Sequence, residues 1–409
     1  MEAGKVSYYV YVTTEKGVTL NVTKAVEGLG WEENAKELST RISFKLQNAT
    51  YQKQKLSSII KIGQVVTVKA NWGAGSKEIV RGFIKEAERD STNSADLFSI
   101  TAYDCLFNMQ KSQDNVYYSA GKKTKFVIKD IFKKWGVSID TYTGPDVKMA
   151  KILYKSKNLS DIILDILDEA VKKGGVRSCV RASGNKVSIL RLGSNSTVYV
   201  LNSTNCIESK YKVSIVSMVT RVKILAAAKK GKDEQKVEAT VDKNIKYGVL
   251  QRVQTHASSD SLADAKKAAQ KILDEHGEPE YTRTVQAPDV PPIHKGDKVS
   301  ISAGSLNGMY IVKSIQHNGQ TGKMSMEVET EKKQTATSSG SKSSKTSGTK
   351  MTVTARHGLN LRTAPNKSII LAMPRGSTFT WDGKKSGNWY HGTYNGKTGY
   401  AYKNWLKKK

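Results

Sequence analysis

Apolar and polar residues alternate with a period of two along the first part of the chain. The alternation is plain in residues 41–46, which read RISFKL, and in residues 66–70, which read VTVKA. A strand with this pattern places one face against a core and the other against water. We therefore predict a half-buried antiparallel β domain over residues 1–115.

The period changes to that of a helix between residues 116 and 212, which we predict to be an α/β insertion. One apolar stripe ends at Gly136 and consists of Val127, Ile128, Ile131, Phe132 and Trp135. A second stripe follows Ser160, which is a good N-cap residue, and stops at Gly174; it consists of Ile162, Ile163, Ile166, Leu167, Ala170 and Val171. Such stripes are typical of amphipathic helices that end at a glycine, and short strands such as residues 186–192 follow them.

A strand pattern returns over residues 213–330, which we predict to be a second β domain. One Ala-rich helix, residues 261–276, interrupts it, and Asp264 stands three residues after Ser261 as in a capping box. Residues 331–350 are predicted to be a linker, because residues 334–349 carry no apolar side chain larger than Ala. A flexible coil of this length reaches roughly 20 to 25 Å. The last domain covers residues 351–409.

The two β domains show a weak internal similarity. Residues 63–68 (GQVVTV) parallel residues 296–301 (GDKVSI), and each segment is followed by two further strands. In the comparison, residues 79–84 match 310–315, and residues 98–102 match 324–328. Common β patterning and a true duplication both explain this similarity, and the sequence does not choose between them.

Length and charge narrow the class of protein. The chain has 409 residues, too many for one compact core, and a net charge of +29. Residues 331–409 hold 16 Lys and Arg against 2 acidic residues, so this part carries +14. A basic surface attracts polyanions, either nucleic acid or the anionic polymers of a cell wall.

The sequence offers no recognisable catalytic or metal-binding motif. Three cysteines (Cys105, Cys179 and Cys206) lack paired spacing and are expected to be buried small hydrophobes. The six histidines are scattered, and no phosphate-binding glycine loop or activated nucleophile is found. We therefore expect no enzyme activity, no cofactor and no metal. No apolar run reaches 18 residues, so neither a signal peptide nor a membrane span is expected.

The C-terminal domain resembles a bacterial SH3 domain. The resemblance rests on residues 359–362 (LNLR) with Pro365, on residues 374–376 (PRG), and on residues 389–400, where Asn395-Gly396 is predicted to form a hairpin turn. Thr363-Ala364 replaces the usual glycine before the proline. The resemblance implies binding to peptidoglycan or anionic wall polymers through exposed aromatic residues. The candidates are Trp381, Trp389, Tyr390, Tyr394, Tyr400 and Trp405, of which half or more are expected in the core, with Trp389 and Tyr400 foremost.

The rest of the chain resembles baseplate hub proteins of contractile phage tails, the late-control gene D class and the hub of PBSX-like defective prophages. The shared phrases are residues 98–104 (FSITAYD), the helix at 128–136 and the helix start at 159–163 (LSDII). The resemblance implies two tube-like β barrels per chain with an α/β insertion, and assembly as a homotrimer. Its implied partners are the tail tube protein, a central spike and other baseplate proteins.

The leading hypothesis is a structural hub in the baseplate of a phage, a defective prophage or a tail-like bacteriocin, with a tethered wall-binding domain. Such a protein would be made in the host cytoplasm and released by lysis. The first alternative is a peptidoglycan hydrolase targeted by its SH3 domain, which would need a catalytic site that the sequence does not reveal. The second is a nucleic-acid binder, which would need an RNA-binding motif or a helix-turn-helix; neither is found.

Overall fold

The computed structural model describes residues 6–73, 75–91, 96–227, 235–256, 261–331, 349–356, 358–395 and 397–408. The chain divides into two compact units, Met1–Ala336 and Thr337–Lys409. The mainly β fold class predicted from the sequence, with a small C-terminal β domain, is confirmed. Most of the predicted linker, residues 331–350, lies outside the described residues.

The first β region is an antiparallel sheet in the order β2-β1-β7-β8-β9-β4-β3. Its elements are β1 (Ser7–Thr13), β2 (Thr19–Asn21), β3 (Val26–Glu33), β4 (Arg41–Gln47), β5 (Thr50–Tyr51), β6 (Gln54–Lys55), α1 (Leu56–Ile59), β7 (Val65–Asn71), β8 (Ser76–Ser91) and β9 (Asp96–Tyr103). The predicted alternation is confirmed in β4, where Ile42, Phe44 and Leu46 are buried while Arg41 and Lys45 are exposed.

The insertion packs helices against two small sheets. Its elements are α2 (Phe107–Lys111), β10 (Gln113–Tyr118), α3 (Thr124–Lys134), β11 (Ile139–Tyr142), β12 (Ile152–Asn158), α4 (Leu159–Lys172), β13 (Ser178–Ser183) and β14 (Lys186–Arg191). The apolar stripes of α3 and α4 share one core. Gly136 and Gly174 follow these helices with φ of 70° and 85°, a conformation that favours glycine and ends a helix.

The predicted start of α4 is wrong by two residues. Strand β12 runs directly into the helix, so Asn158 is the N-cap and Ser160 lies buried in the first turn. Leu159 is fully buried, and its N–H donates to the carbonyl of Ser112 at 2.9 Å. The burial of Leu159 and this tertiary hydrogen bond hold the residue before Ser160 in the helix, so packing decides where the helix begins.

The second β region adds β15 to β23 and one long helix. Its elements are β15 (Tyr199–Asn202), β16 (Glu208–Ser214), β17 (Arg221–Leu225), β18 (Val237–Asp242), β19 (Gln251–Thr255), α5 (Leu262–His276), β20 (Glu280–Pro288), β21 (Lys298–Ala303), β22 (Leu306–Asn318) and β23 (Lys323–Thr330). Helix α5 packs on the sheet β18-β17-β19. Its predicted cap is confirmed, since the Asp264 N–H donates to Ser261 Oγ at 3.1 Å.

The two β regions share one sheet of 13 strands. Strand β22 pairs with β21 and β23, and its last residues, Ile315 to Asn318, also pair with Gly30 to Glu33 of β3. The sheet therefore continues from the second region into the first. We call β7-β8-β9-β4-β3 the first ladder and β21-β22-β23-β20-β16 the second ladder.

The two ladders have the same strand order and equivalent hydrogen bonds at their turn glycines. Gly63 N–H donates to Ile84 O and Ile84 N–H to Gln64 O, both at 2.9 Å. In the second ladder, Gly296 N–H donates to Val312 O and Val312 N–H to Asp297 O, both at 2.8 Å. A register irregularity follows Ile84 in one ladder and Val312 in the other. The structure therefore favours the duplication.

The duplication differs from the sequence comparison at one strand. The structure makes Ile84 equivalent to Val312, so the match of residues 79–84 to 310–315 is shifted by three residues. The match of residues 98–102 to 324–328 has the structural register, because Ala102 pairs with Ile84 and Val328 with Val312. The hairpin of β7 and β8 is longer than the hairpin of β21 and β22. The alternation of apolar and polar residues does not indicate the length of a hairpin, so the sequence comparison misses the shift.

The unit Thr337–Lys409 is a small β domain with strands in the order β26-β25-β29-β28-β27-β24-β30. Its strands are β24 (Thr349–Val353), β25 (Leu359–Arg362), β26 (Ile369–Met373), β27 (Thr378–Ser386), β28 (Trp389–Tyr394), β29 (Lys397–Tyr402) and β30 (Leu406–Lys408). Strands β28 and β29 form the predicted hairpin, in which Asn395 has a φ of 47°. Gly396 lies outside the described residues.

Candidate functional site

Aromatic rings fill the junction where β22 meets β3. His317 lies directly opposite Trp31, and the two rings stack with centroids 4.5 Å apart and an interplanar angle of 9°. Tyr8 contacts Trp31 edge-on at 5.5 Å. Both His317 and Trp31 are almost fully buried. The junction is therefore a packed part of the core that joins the two ladders.

A buried hydrogen-bond network supports this stack. His317 Nδ1 lies 2.6 Å from Asp289 Oδ1, and His317 Nε2 lies 3.1 Å from the carbonyl of Ile293. The Tyr8 hydroxyl donates to Asp289 Oδ2. Burial and the charge of Asp289 raise the pKa of Tyr8, so the phenol stays protonated and acts as the donor. The network thus supplies partners for the buried polar groups of Tyr8, Asp289 and His317. Among the described residues, the Trp31 Nε1–H is buried without a hydrogen-bond partner.

Glu33 ends β3 as a buried carboxylate on the same junction. Its Oε1 lies 2.6 Å from His294 Nδ1, and its Oε2 accepts from the Lys295 N–H at 3.1 Å. Burial alone would raise the pKa of Glu33, but His294, Lys295 and Arg181 outweigh it and lower this pKa to about 2. Glu33 is therefore ionised, and it ties β3 to the turn that begins the second ladder.

Lys295 completes this buried cluster. Its Nζ donates to three backbone carbonyls, those of Glu37 at 2.7 Å, Leu38 at 3.1 Å and Asn34 at 3.3 Å. These carbonyls belong to the segment between β3 and β4. A buried ammonium is tolerated only with such partners. Lys295 therefore fastens the loop of the first β region to the second.

The insertion contacts the same turn. Arg181 Nη1 lies 3.0 Å from Asp297 Oδ1, and a Cβ on Gly296 would lie 2.4 Å from Cys179 Sγ. Burial raises the pKa of Cys179 and of Cys105 to about 11, so both thiols are protonated. All three cysteines are free and partly exposed by residue area, which corrects the expectation that they are fully buried.

Sequence reasoning missed these junction residues, although a signal was present. Glu33 occupies a core position in the alternation of β3, together with the buried Leu29 and Trp31. His317 likewise follows Ile315 on the core face of β22. A charged or polar residue in the apolar phase of a strand indicates a buried partner, but the sequence does not identify that partner.

The sequence-predicted aromatic residues divide between two faces of the small β domain. Trp381, Tyr390 and Tyr394 pack against its core, and the Trp381 and Tyr390 rings stack with centroids 4.5 Å apart. Trp389 contacts Tyr402 edge-on at 5.2 Å, and Tyr400 contacts His391 at 4.8 Å. Trp389, His391, Tyr400 and Tyr402 form the outer aromatic face by their register, and Tyr402 also packs against the core. Trp405 lies in a 3₁₀ turn (Lys403–Trp405) and is 50% exposed.

The expectation that Trp389 and Tyr400 are the most buried of these aromatics is wrong. Both are only partly buried, and Phe379 fills the centre of the core instead. Gly392 lies opposite Gly399, and a Cβ on Gly392 would lie 2.5 Å from Phe379 Cζ. The two glycines therefore mark the core face of the hairpin, and Trp389 points to the other face because it is three residues from Gly392.

A hydrogen-bonded pair, His391 and Asp382, borders the outer aromatic face. His391 Nδ1 lies 2.6 Å from Asp382 Oδ2. Desolvation would raise the pKa of Asp382, but the hydrogen bonds from His391 and from the Lys384 N–H lower it overall. The carboxylate is therefore ionised near neutral pH, and it fixes the imidazole beside Tyr400. Neither His391 nor Tyr402 is among the wall-binding candidates predicted from the sequence.

Within the described residues, no three or more His, Cys, Asp or Glu side chains are grouped so that they could hold a metal ion. In the same part of the chain, no helix is long and apolar enough to cross a membrane.

The fold described above is similar to that of solved tail proteins. The chain is similar to a tail protein from Neisseria meningitidis (13% identity, 79% of this chain and 96% of that chain, TM-score 0.53). It is also similar to the 43 kDa tail protein of prophage MuSo2 from Shewanella oneidensis (12% identity, 78% and 98%, TM-score 0.54). No curated protein matches the chain.

Two family models match separate parts of the chain. The model of the YQBQ-like family matches residues 29–331, and the chain belongs to this family. The model of the bacterial SH3 domain matches residues 357–407, which confirms that resemblance.

Proposed function

We propose that the chain is a structural hub in the baseplate of a contractile tail. The observation that carries this proposal is the doubled ladder, with two equivalent β units joined edge to edge in one rigid sheet. Three such chains present six similar units, so a ring of three can match a six-fold tube on one side and a three-fold spike on the other. The buried junction keeps the two units of each chain in a constant relation.

The proposal keeps the five parts predicted at residues 1–115, 116–212, 213–330, 331–350 and 351–409, with two boundaries corrected. β15 (Tyr199–Asn202) and β16 (Glu208–Ser214) pair with strands of the second ladder and therefore belong to the second β part. β10 (Gln113–Tyr118) pairs with β12 and therefore belongs to the insertion. Its partners are the tail tube protein, a central spike and other baseplate proteins, and its place is the baseplate of a phage or tail-like particle released by lysis. The similarity to tail proteins supports a structural rather than an enzymatic role.

Native mass tests the hub proposal. We expect light scattering of the purified chain to give three times 45.0 kDa, or 135 kDa, and negative-stain images of the same peak to show a three-fold ring. A chain that stays monomeric at all accessible concentrations would contradict the trimer.

We further propose that the SH3 domain binds bacterial cell wall through its outer aromatic face. Trp389, Tyr400 and Tyr402 present ring surfaces that can stack on sugars and peptide planes, and Arg362 pairs in register with Tyr400 at the edge of this face. The net charge of +14 over residues 331–409 adds attraction to anionic wall polymers.

Sedimentation with purified cell walls tests this proposal. We expect Trp389→Ala/Tyr400→Ala to weaken binding at least tenfold while the domain stays folded, because both side chains lie outside the core. Tyr117→Ala serves as the control, since it removes an aromatic residue that is 61% exposed in the insertion. Equal binding by the double variant and the control would contradict the assigned face. We expect no release of wall fragments by any of these proteins.

A further inference from the structure

Outside the hairpins of unequal length, residues of one ladder have equivalents in the other, and the equivalence can be followed strand by strand. Thr101 pairs with Ser43 and Ser43 with Gly30. In the second ladder, Glu327 pairs with Thr284 and Thr284 with Lys210. Gly30 of β3 is therefore equivalent to Lys210 of β16. The following residues continue this equivalence as Trp31 with Tyr211, Glu32 with Lys212, and Glu33 with Val213.

The same reasoning relates the ends of β8 and β22. After the register irregularity, Glu86 pairs with Thr101 and Ser314 pairs with Glu327. Glu86 is therefore equivalent to Ser314. The following residues are equivalent in turn: Ala87, Glu88, Arg89 and Asp90 correspond to Ile315, Gln316, His317 and Asn318.

These equivalences identify two strand edges that lack a partner strand. Residues 315–318 of β22 pair with residues 30–33 of β3 inside the chain. Within the described part of the chain, their equivalents pair on one side only, residues 87–90 with β9 and β16 with β20. Both edges are exposed, and Tyr211 and Val213 are 45% and 51% accessible. An open edge of this kind is a template for another strand.

We propose that β16 of one copy pairs antiparallel with residues 87–90 of a second copy, in the register that joins β3 to β22. The resulting opposed pairs are Val213 with Ala87, Lys212 with Glu88, Tyr211 with Arg89, and Lys210 with Asp90. The occupant of each edge is thus a second copy of this chain. The number of copies, three, rests on the proposed hub function.

The chemistry of the opposed residues supports this register. Two lysines face two carboxylates, and no like charges are opposed. Glu88, Asp90 and Lys212 make no ion pair with other described residues, so these charges are available to a partner. Arg89 falls opposite the Tyr211 ring, at the position where His317 stacks on Trp31 in the internal junction. Within one chain Arg89 pairs with Asp96, and Arg283 lies 5.1 Å from the centroid of the Tyr211 ring, so this position adds no unpaired charge to the contact. Backbone hydrogen bonds supply affinity in such strand addition, while the charge pairs select the register.

The pairing is head-to-tail, since each copy offers two different edges. Such a heterologous contact closes into a ring when the rotation between copies divides a full turn. The internal junction repeats the same contact within the chain, so internal and external contacts alternate around the ring. A ring of three chains then has six nearly equivalent strand contacts. Three of them lie within single chains, and the other three lie between neighbouring chains.

Charge reversal and exchange test the register. We expect Glu88→Lys/Asp90→Lys to raise the dissociation constant between copies at least roughly tenfold, because like charges would then be opposed. Adding Lys210→Glu/Lys212→Glu should restore assembly. The control Glu15→Lys/Asp140→Lys makes the same change in net charge at exposed sites away from both edges. Light scattering gives the mass, and far-UV circular dichroism verifies folding of each variant.

Cross-linking gives a second measurement that does not depend on charge. Ala87→Cys and Val213→Cys are made in separate chains and mixed, so that a new disulfide can form only between copies. We expect a disulfide-linked dimer in the mixture beyond that of either variant alone. A wild-type trimer whose charge variants assemble unchanged and whose cysteines do not link would overturn the pairing and leave the hub proposal intact. A wild-type monomer would overturn both.

Discussion

β3 and β16 occupy the same position in the two ladders, yet their surroundings differ. β3 is covered by β22, and its Trp31 and Glu33 are buried in a stack and an ion network. β16 has one open edge, and the equivalent Tyr211 and Val213 are about half exposed. The same backbone position thus carries either a permanent junction or an accessible edge.

The turn glycines give a second comparison between the ladders. Gly63 and Gly296 have nearly the same φ, 88° and 87°, and make equivalent hydrogen bonds. Nothing lies within 4 Å of a Cβ built on Gly63, whereas Cys179 and Leu192 crowd Gly296. The insertion therefore packs closely against the turn of the second ladder only.

The largest expected effect concerns the buried carboxylate of the junction. Glu33→Gln should lower the free energy of unfolding by about 3 to 5 kcal/mol, because it removes the buried carboxylate that is hydrogen-bonded to His294 and that neutralises the buried charge of Lys295. Urea denaturation of the full chain, followed by tryptophan fluorescence, measures this loss. The control Glu32→Gln removes an exposed ion pair with Arg41 and should cost less than about 1 kcal/mol. Equal losses for the two variants would show that the junction is not held by this network.

The second effect is the pH dependence of the same group. The pKa of Glu33 falls from 4.5 to about 2 on folding, so its stabilising contribution is complete above pH 4.5. This contribution is lost as the pH falls through about 2, and it is on the order of 3 kcal/mol. The difference in stability between the wild type and Glu33→Gln should therefore shrink between pH 4.5 and pH 2. A constant difference over this range would contradict the ionised, buried carboxylate.

The smallest expected effect distinguishes the two turn glycines. Gly63→Ala should cost about 1 kcal/mol, since only the positive φ opposes the new methyl group. Gly296→Ala should cost about 2 kcal/mol more, because the methyl group would also overlap Cys179 Sγ. Thermal unfolding of both variants measures the difference. If the two substitutions had equal effects, the close packing of the insertion on the second ladder would be refuted.

Local patterns in the sequence predicted much of the fold. The alternation in β4, the stripes of α3 and α4, the Ser261 cap and the bacterial SH3 domain are confirmed. The wall-binding role of the aromatic candidates in the SH3 domain stays a prediction, and the sequence did not predict correctly how these residues divide between the core and the outer face. That distribution depends on Gly392 and Gly399, which meet across a hairpin and leave room for Phe379.

The sequence by itself determined the elements, because the alternation of apolar residues and the capping residues act within a few positions along the chain. The tertiary structure alone decided which strands meet. β3 and β22 are separated by more than 270 residues, and neither strand contains a signal that names the other. Their pairing, the burial of Glu33 and His317, and the open edge of β16 follow from how the two ladders pack, since burial and charge neutralisation arise only when distant segments share one core.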